Sequence, residues 1–123
     1  YSQSYTPAMT GLDRWVADKP GFIGREAFRA APPPARRLVM LRVDADGADA
    51  TGFEPVWQNG VKVGFTTSGG YGHRVGQSLA LAQVRTDLAE PGTRLTVHIV
   101  GRERGAEVIA LSPCDPKGER MRA

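Results

Sequence analysis

Hydrophobic and polar positions change rhythm part-way along the chain. In the first stretch, Phe22, Ile23, Glu26, Ala27 and Ala30 are spaced for a short helix that begins after Pro20-Gly21. Residues 32–34, all proline, stop it, because proline removes a donor and restricts the residue before it. Such a run reads as a stiff linker, so a domain boundary is expected near residue 35, with 1–34 as the tail of an upstream domain and 35–123 as the domain proper. From Arg36 the pattern alternates. Leu38, Met40, Leu41 and Val43 predict a strand, ended by Asp44-Ala45-Asp46-Gly47, which has turn chemistry. Residues 54–58 and 61–67 predict two short strands joined by Asn59-Gly60, a hairpin dipeptide because both residues accept positive φ. Residues 75–85, with Leu79, Leu81 and Val84, predict a longer strand. Leu95, Val97 and Ile99 give one dry face of a fifth. A turn over 101–105 and a strand over 106–111, carrying Val108 and Ala110, complete the set. Six or so strands with one apolar face each and no helix between them close into a small antiparallel barrel or a sandwich. The fold class is all-β, preceded by a short helical segment.

Composition narrows the function classes. Hydrophobic residues make up 41% of 123, enough for one domain with a modest core and too many for disorder. The apolar runs 38–41 and 79–82 are too short to span a membrane. Residues 1–10 lack the basic start and apolar stretch of a signal peptide. The chain begins with Tyr1, so a fragment or a processed piece is expected. A single cysteine, Cys114, excludes an internal disulfide and suits a reducing compartment, which predicts a cytoplasmic location. Cys114 itself, between two prolines and without a base nearby, reads as an inert loop residue. The net charge is +3, and 13 of the 16 basic residues are arginine. These arginines (Arg14, Arg42, Arg74, Arg94 and Arg120 among them) are scattered, and no aromatic residues alternate with them as a base-stacking surface requires, so nucleic acid is not an expected partner.

The least ordinary segment is Gly64-Phe65-Thr66-Thr67-Ser68-Gly69-Gly70-Tyr71-Gly72-His73. It reads as a strand ending in a glycine-rich loop that displays a hydroxyl, a phenol and an imidazole within six residues. Two readings stand beside each other. In one, the loop contacts a ligand or a neighbouring domain. In the other, it is a strand connection whose glycines take positive φ, with Tyr71 and His73 satisfied locally. The glycine pattern lacks the Gly-Lys-Ser/Thr ending of a phosphate-binding loop. His98, mid-strand without a nearby Cys or second His, makes no metal site. Asp44, Asp46 and Asp49 resemble part of a calcium loop but lack its glutamate and periodicity, and read as a solvated turn. No catalytic arrangement and no metal site follows from these spacings.

The segment 64–73, followed by Gln77-Ser78-Leu79-Ala80-Leu81-Ala82, resembles the C-terminal barrel of the glycine-cleavage T-protein (aminomethyltransferase) family. Upstream, Asp18-Lys19-Pro20-Gly21-Phe22-Ile23-Gly24-Arg25-Glu26-Ala27 is similar to the helix that closes that family's folate-binding domain. Downstream, Ala89-Glu90-Pro91-Gly92-Thr93-Arg94-Leu95 is similar to the lead-in to its penultimate strand, and the stretch from Asp115-Pro116 to Arg120-Met121-Arg122 to its chain end. The form Thr-Ser-Gly-Gly-Tyr-Gly-His is closest to the dimethylglycine and sarcosine dehydrogenase or oxidase branch.

The resemblance implies a barrel, and a parent in which an FAD-binding domain precedes the folate-binding half. The implied activity is oxidation of a small N-methyl amine at the flavin, with the iminium carbon captured by tetrahydrofolate. The family's catalytic aspartate lies upstream, so no catalytic residue is carried over, and the fragment alone is expected to be inactive. Ser68, Tyr71 and His73 are the expected cofactor-binding residues, facing the domain junction and the folate cavity. Pro113-Cys114 stands where relatives carry Leu-Tyr, so an aromatic folate contact near the chain end is not expected. Two alternatives remain: the barrel of a stand-alone aminomethyltransferase or folate-dependent demethylase, and an independent anion-binding barrel module.

Overall fold

The computed structural model describes residues 4–120 and 122. Residues 1–3 of the expected N-terminal segment and Met121 of the chain-end segment lie outside the described residues. Six antiparallel strands form a closed barrel: β1 (Arg36–Val43), β2 (Pro55–Gln58), β3 (Val61–Gly72), β4 (Gln77–Arg85), β5 (Arg94–Ile99) and β6 (Arg102–Ile109). Their order around the wall is β1-β4-β3-β2-β5-β6, and β6 pairs back onto β1. Closure removes the free sheet edges that would otherwise invite pairing with another chain.

The interior is built from small side chains. Val39, Leu41 and Val43 of β1, Ala80, Ala82 and Val84 of β4, Val97 and Ile99 of β5, and Ala106 and Val108 of β6 are all buried. A six-stranded barrel is narrow, and alternating alanine and valine fill it without strain. Leu79 and Leu81, the prominent residues of the expected fourth strand, have the opposite parity and lie half-buried on the outside, as does Leu38 of β1. The larger apolar residues therefore coat part of the outer wall.

Both tight hairpins have two-residue turns. Asn59 and Gly60 take φ of 50° and 77°, as the dipeptide predicts. The turn expected over 101–105 is shorter. Ile99 pairs directly with Arg102, leaving Val100 (φ 48°) and Gly101 (φ 73°) as the turn, while Gly105 sits inside β6 opposite Thr96. The connection from β1 to β2 folds inward over the barrel end and buries Ala50. Thr66, fully buried, anchors it: its hydroxyl donates to the Thr51 carbonyl at 2.5 Å and accepts from the Glu54 N–H at 2.9 Å.

Ahead of the barrel lie α1 (Pro7–Thr10) and α2 (Arg25–Ala30). The second is the helix expected after Pro20-Gly21. The first is capped by the Thr6 side chain, which accepts from Met9 N, and closed by Gly11 in the left-handed region. α1 packs on β1, and the Gln83 side-chain amide donates to the Met9 carbonyl at 3.1 Å. Part of the segment before the prolines is thus seated on the barrel wall. Residues 31–34 have no regular structure, and the Thr86 N–H donates to the Ala35 carbonyl at 3.1 Å.

Candidate functional site

The glycine-rich segment is strand, not loop. Ser68, Gly69, Gly70, Tyr71 and Gly72 pair in register with Leu81, Ala80, Leu79, Ser78 and Gln77. None of Gly64, Gly69, Gly70 and Gly72 has positive φ. Two of them are needed for close approach by the chain's own backbone. A Cβ on Gly64 would lie 2.1 Å from the Gln83 carbonyl oxygen, and one on Gly69 would lie 2.4 Å from that of Ala50. The glycines that read as a ligand-cradling loop instead admit β4 and the inward-folded connection.

A β-bulge decides where Ser68, Tyr71 and His73 point. Thr66 pairs with Ala82 and Ser68 with Leu81, so Thr67 is the extra residue and the inside–outside alternation slips by one. Ser68 therefore shares the outer face with Leu81. Tyr71, three residues on, has the parity of Gly69 and of buried Ser78, and sits half-exposed at the end of the barrel. About 10 Å of strand separates the two positions. His73 lies just past the strand, its ring 5.0 Å from that of Tyr71 in an edge-on contact. Tyr71 and His73 form one pair, and Ser68 belongs to a different surface.

The Ser68 surface is a cavity of about 360 Å³ on the outer wall, lined by Leu38, Phe65 and Leu81 with Tyr5, Thr10, Phe53, Thr67 and Gln83. Phe53 stands at φ 68°, 85% exposed, its ring stacked on Phe65 at 6.2 Å. The Arg36 guanidinium lies 5.8 Å from the Phe65 ring centre. Gln83 is 2% exposed; its amide N–H is used on Met9, but its Oε1 has no partner. Sequence reasoning passed over Gln83 and Phe53. The one available signal was a glutamine inside the apolar run that ends at Val84.

The Tyr71 surface is a shallow cavity of about 470 Å³ between that ring and residues 45–49. The connection read as a solvated turn is anchored at both sides. Asp49 accepts a 2.6 Å bond from the Ser78 hydroxyl, and the Asp46 carbonyl accepts one of 2.9 Å from Arg104. The surface thus offers carboxylates, a phenol and an imidazole at one mouth of the barrel. His98 is remote in kind: it packs on Trp57, ring centres 5.3 Å apart, with Nε2 3.9 Å from Glu103. Among the described residues no group of three or more His, Cys, Asp or Glu could hold a metal ion, and no helix is long and apolar enough to cross a membrane.

The family model for the glycine cleavage T-protein C-terminal barrel domain matches residues 36–115, starting where β1 starts. The chain belongs to that family. It is 39% identical over 107 residues to human mitochondrial dimethylglycine dehydrogenase, covering 84% of this chain and 12% of that protein. It is 40% identical over 114 residues to an aminomethyltransferase of Saccharopolyspora erythraea, covering 89% of this chain and 31% of the relative. A 4-methylaminobutanoate oxidase (formaldehyde-forming) of Paenarthrobacter nicotinovorans is 36% identical over 120 residues, covering 94% of this chain and 14% of that protein. The crystal structure of the glycine cleavage system aminomethyltransferase T from Bartonella henselae superposes with a TM-score of 0.75 at 25% identity, over 86% of this chain and 31% of that one. The chain therefore spans between about an eighth and a third of the length of these relatives, as one domain of a larger protein would.

Proposed function

We propose that this barrel is the C-terminal domain of a tetrahydrofolate-dependent protein of the branch that oxidises methylated amines, with FAD and the amine substrate handled by domains upstream of it. The Thr-Ser-Gly-Gly-Tyr-Gly-His form of residues 67–73, together with two amine-oxidising enzymes among the relatives, is the observation that carries this reading. Residues 1–34 are then the end of the folate-binding domain. Tetrahydrofolate supplies the amine nitrogens that accept the one-carbon unit. The chemistry of this chain suits a contact with it rather than the transfer itself. Tyr71 gives an aromatic surface, and Asp46 and Asp49 give acceptors for ring N–H groups. His73, edge-on against the Tyr71 ring, adds a ring N–H. Ser68 faces the other surface, towards the domain junction. The expected compartment is the cytoplasm, although the dehydrogenase relatives are mitochondrial.

A stand-alone aminomethyltransferase is the second reading, favoured by the 40% identity to the Saccharopolyspora protein. A Gly-x-Gly-x-x-Gly strand–turn–helix near the start of the parent chain separates the two, since only the flavin-linked form needs it. Calorimetric titration with tetrahydrofolate tests the folate reading itself. The parent is expected to bind, and the 123-residue chain weakly or not at all, because a pocket between domains loses most of its walls when one is isolated. Tight binding by the isolated chain would assign the barrel a folate site of its own. Silence from both would remove the folate reading and favour the anion-binding module.

A further inference from the structure

Asn59 is the only asparagine in the sequence, and a glycine follows it at an exposed hairpin tip. An asparagine side-chain amide lies within reach of the next backbone nitrogen, and glycine leaves that nitrogen unshielded because it has no Cβ. Nothing lies within 4 Å of where a Gly60 Cβ would stand. Among the described residues the Gly60 N–H donates to nothing and the Asn59 amide has no partner, so no hydrogen bond holds either group back. The tip is also a small unit. Gln58 pairs with Val61 and Trp57 with Lys62, and the register shift between Val56 and Trp57 sets these two pairs apart from the rest of the hairpin. On its other side β2 pairs with β5 at Val56 and Trp57, so Gln58 is held from one side only. So short a ladder opens locally without unfolding the barrel.

We infer that Asn59 is a site of spontaneous covalent modification whose β-linked product unlatches the β2–β3 hairpin. The Gly60 nitrogen bonds to the Asn59 Cγ, the Cγ–Nδ2 bond breaks, and ammonia leaves with the Gly60 N–H proton, passed to it through solvent. Water then opens the cyclic imide at either of its carbonyls. Opening at one gives aspartate in an ordinary backbone, which accepts a φ of 50° and keeps the turn. Opening at the other routes the main chain through the side chain and lengthens it by a carbon. A two-residue turn whose ends pair directly has no room for that extra atom, so Gln58 and Val61 lose their register. The loss runs as far as Trp57, whose ring lies against that of His98. The closed turn sets the pace: positive φ at both residues holds the tip in one shape, and the reaction waits on its opening. Asp46-Gly47 is a built-in comparison, since it has the same glycine but no ammonia to lose, and its Asp46 carbonyl is held by Arg104.

Ageing the full-length parent in warm, mildly alkaline buffer tests this, with peptide mapping by mass spectrometry that separates the two products. The folded parent is expected to lose the position-59 amide about tenfold more slowly than the same protein in urea, with the β-linked product in excess in both. Amide hydrogen exchange over residues 57–62 should be at least about tenfold faster in the β-linked fraction than in fresh protein. Asn59→Gly keeps a residue suited to positive φ and removes the reacting amide, so it should show neither change. Asn59→Asp, measured fresh, should exchange like the unmodified parent. An amide that survives ageing in the folded parent while reacting in urea would overturn the proposal, because the tip would then stay shut. So would a β-linked product with unchanged exchange over 57–62, because the hairpin would then tolerate the extra atom. Neither readout involves folate, so a failure here leaves the functional reading untouched.

Discussion

The two adjacent glycines of β3 give a sharp test of why the glycine-rich segment is built as it is. An alanine Cβ at position 69 would lie 2.4 Å from the Ala50 carbonyl oxygen and 3.0 Å from the Ala50 Cβ, about 1 Å inside the 3.4 Å at which ordinary contact begins. Both neighbours belong to the inward-folded connection, and Ala50 is 2% exposed, so neither can swing aside. Overpacking of this kind costs about 1–3 kcal/mol. Displacing the connection also strains the Ser78–Asp49 bond, worth about 1 kcal/mol more. Gly69→Ala is therefore expected to lose about 2–4 kcal/mol, which for a domain of this size lowers Tm by roughly 10–25 °C. At Gly70 nothing lies within 4 Å of an added Cβ and φ is not positive. Gly70→Ala should be neutral or gain up to about 1 kcal/mol by restricting the unfolded chain. Ala50→Gly in the Gly69→Ala background should recover only part of the loss, because the carbonyl contact remains. Urea unfolding of the four proteins measures all of this. Similar stabilities for Gly69→Ala and Gly70→Ala would refute the close-approach explanation. A Gly70→Ala variant with intact stability but impaired folate binding by the parent would restore the ligand-facing reading of the segment.

Thr66→Val keeps the shape of a buried side chain but leaves the Thr51 carbonyl and the Glu54 N–H without a partner, and is expected to cost about 2–4 kcal/mol in urea unfolding. Val100→Asn should raise stability by about 1 kcal/mol in the same assay, because an exposed β-branched residue at φ 48° gives way to one that tolerates the left-handed region. The hydrogen bond from Arg85 holds the exposed Asp87 carboxyl below its usual range, and the Arg85 charge adds to the effect. A lowered folded-state value means that this contribution is fully present above the ordinary carboxylate range and is lost as pH falls below that range, through the lowered value. Arg85→Gln should return the Asp87 titration, followed by NMR, to the ordinary carboxylate range.

Strand number, the all-β class and the Asn59-Gly60 hairpin were legible because they rest on local chemistry: alternation, and two residues that accept positive φ. The expectations that failed share a different cause. Leucine outranks alanine in any measure of hydrophobicity, so Leu79 and Leu81 are the residues that mark β4 in the sequence, which leaves its inner face unassigned. Yet the radius of a six-stranded barrel selects Ala80 and Ala82, and radius is a property of closure that no single strand carries. The bulge at Thr67 is equally hidden, because one extra residue changes nothing in the local pattern while inverting every position after it. That slip turns Ser68 outwards and gives Tyr71 the inner parity; that the two end on different surfaces follows from their three-residue separation.

The same inversion sets which cavities β3 reaches. A strand with unbroken alternation would have turned Ser68 inwards and left the outer wall beside Leu81 without it. With the bulge, β3 presents a hydroxyl to the Gln83 cavity from its middle and an aromatic–imidazole pair to the barrel mouth from its end. Residues of one strand thus reach two separate cavities. On the first, Gln83 Oε1 is buried without a donor, whereas on the second the Asp49 carboxyl already accepts from the Ser78 hydroxyl of β4.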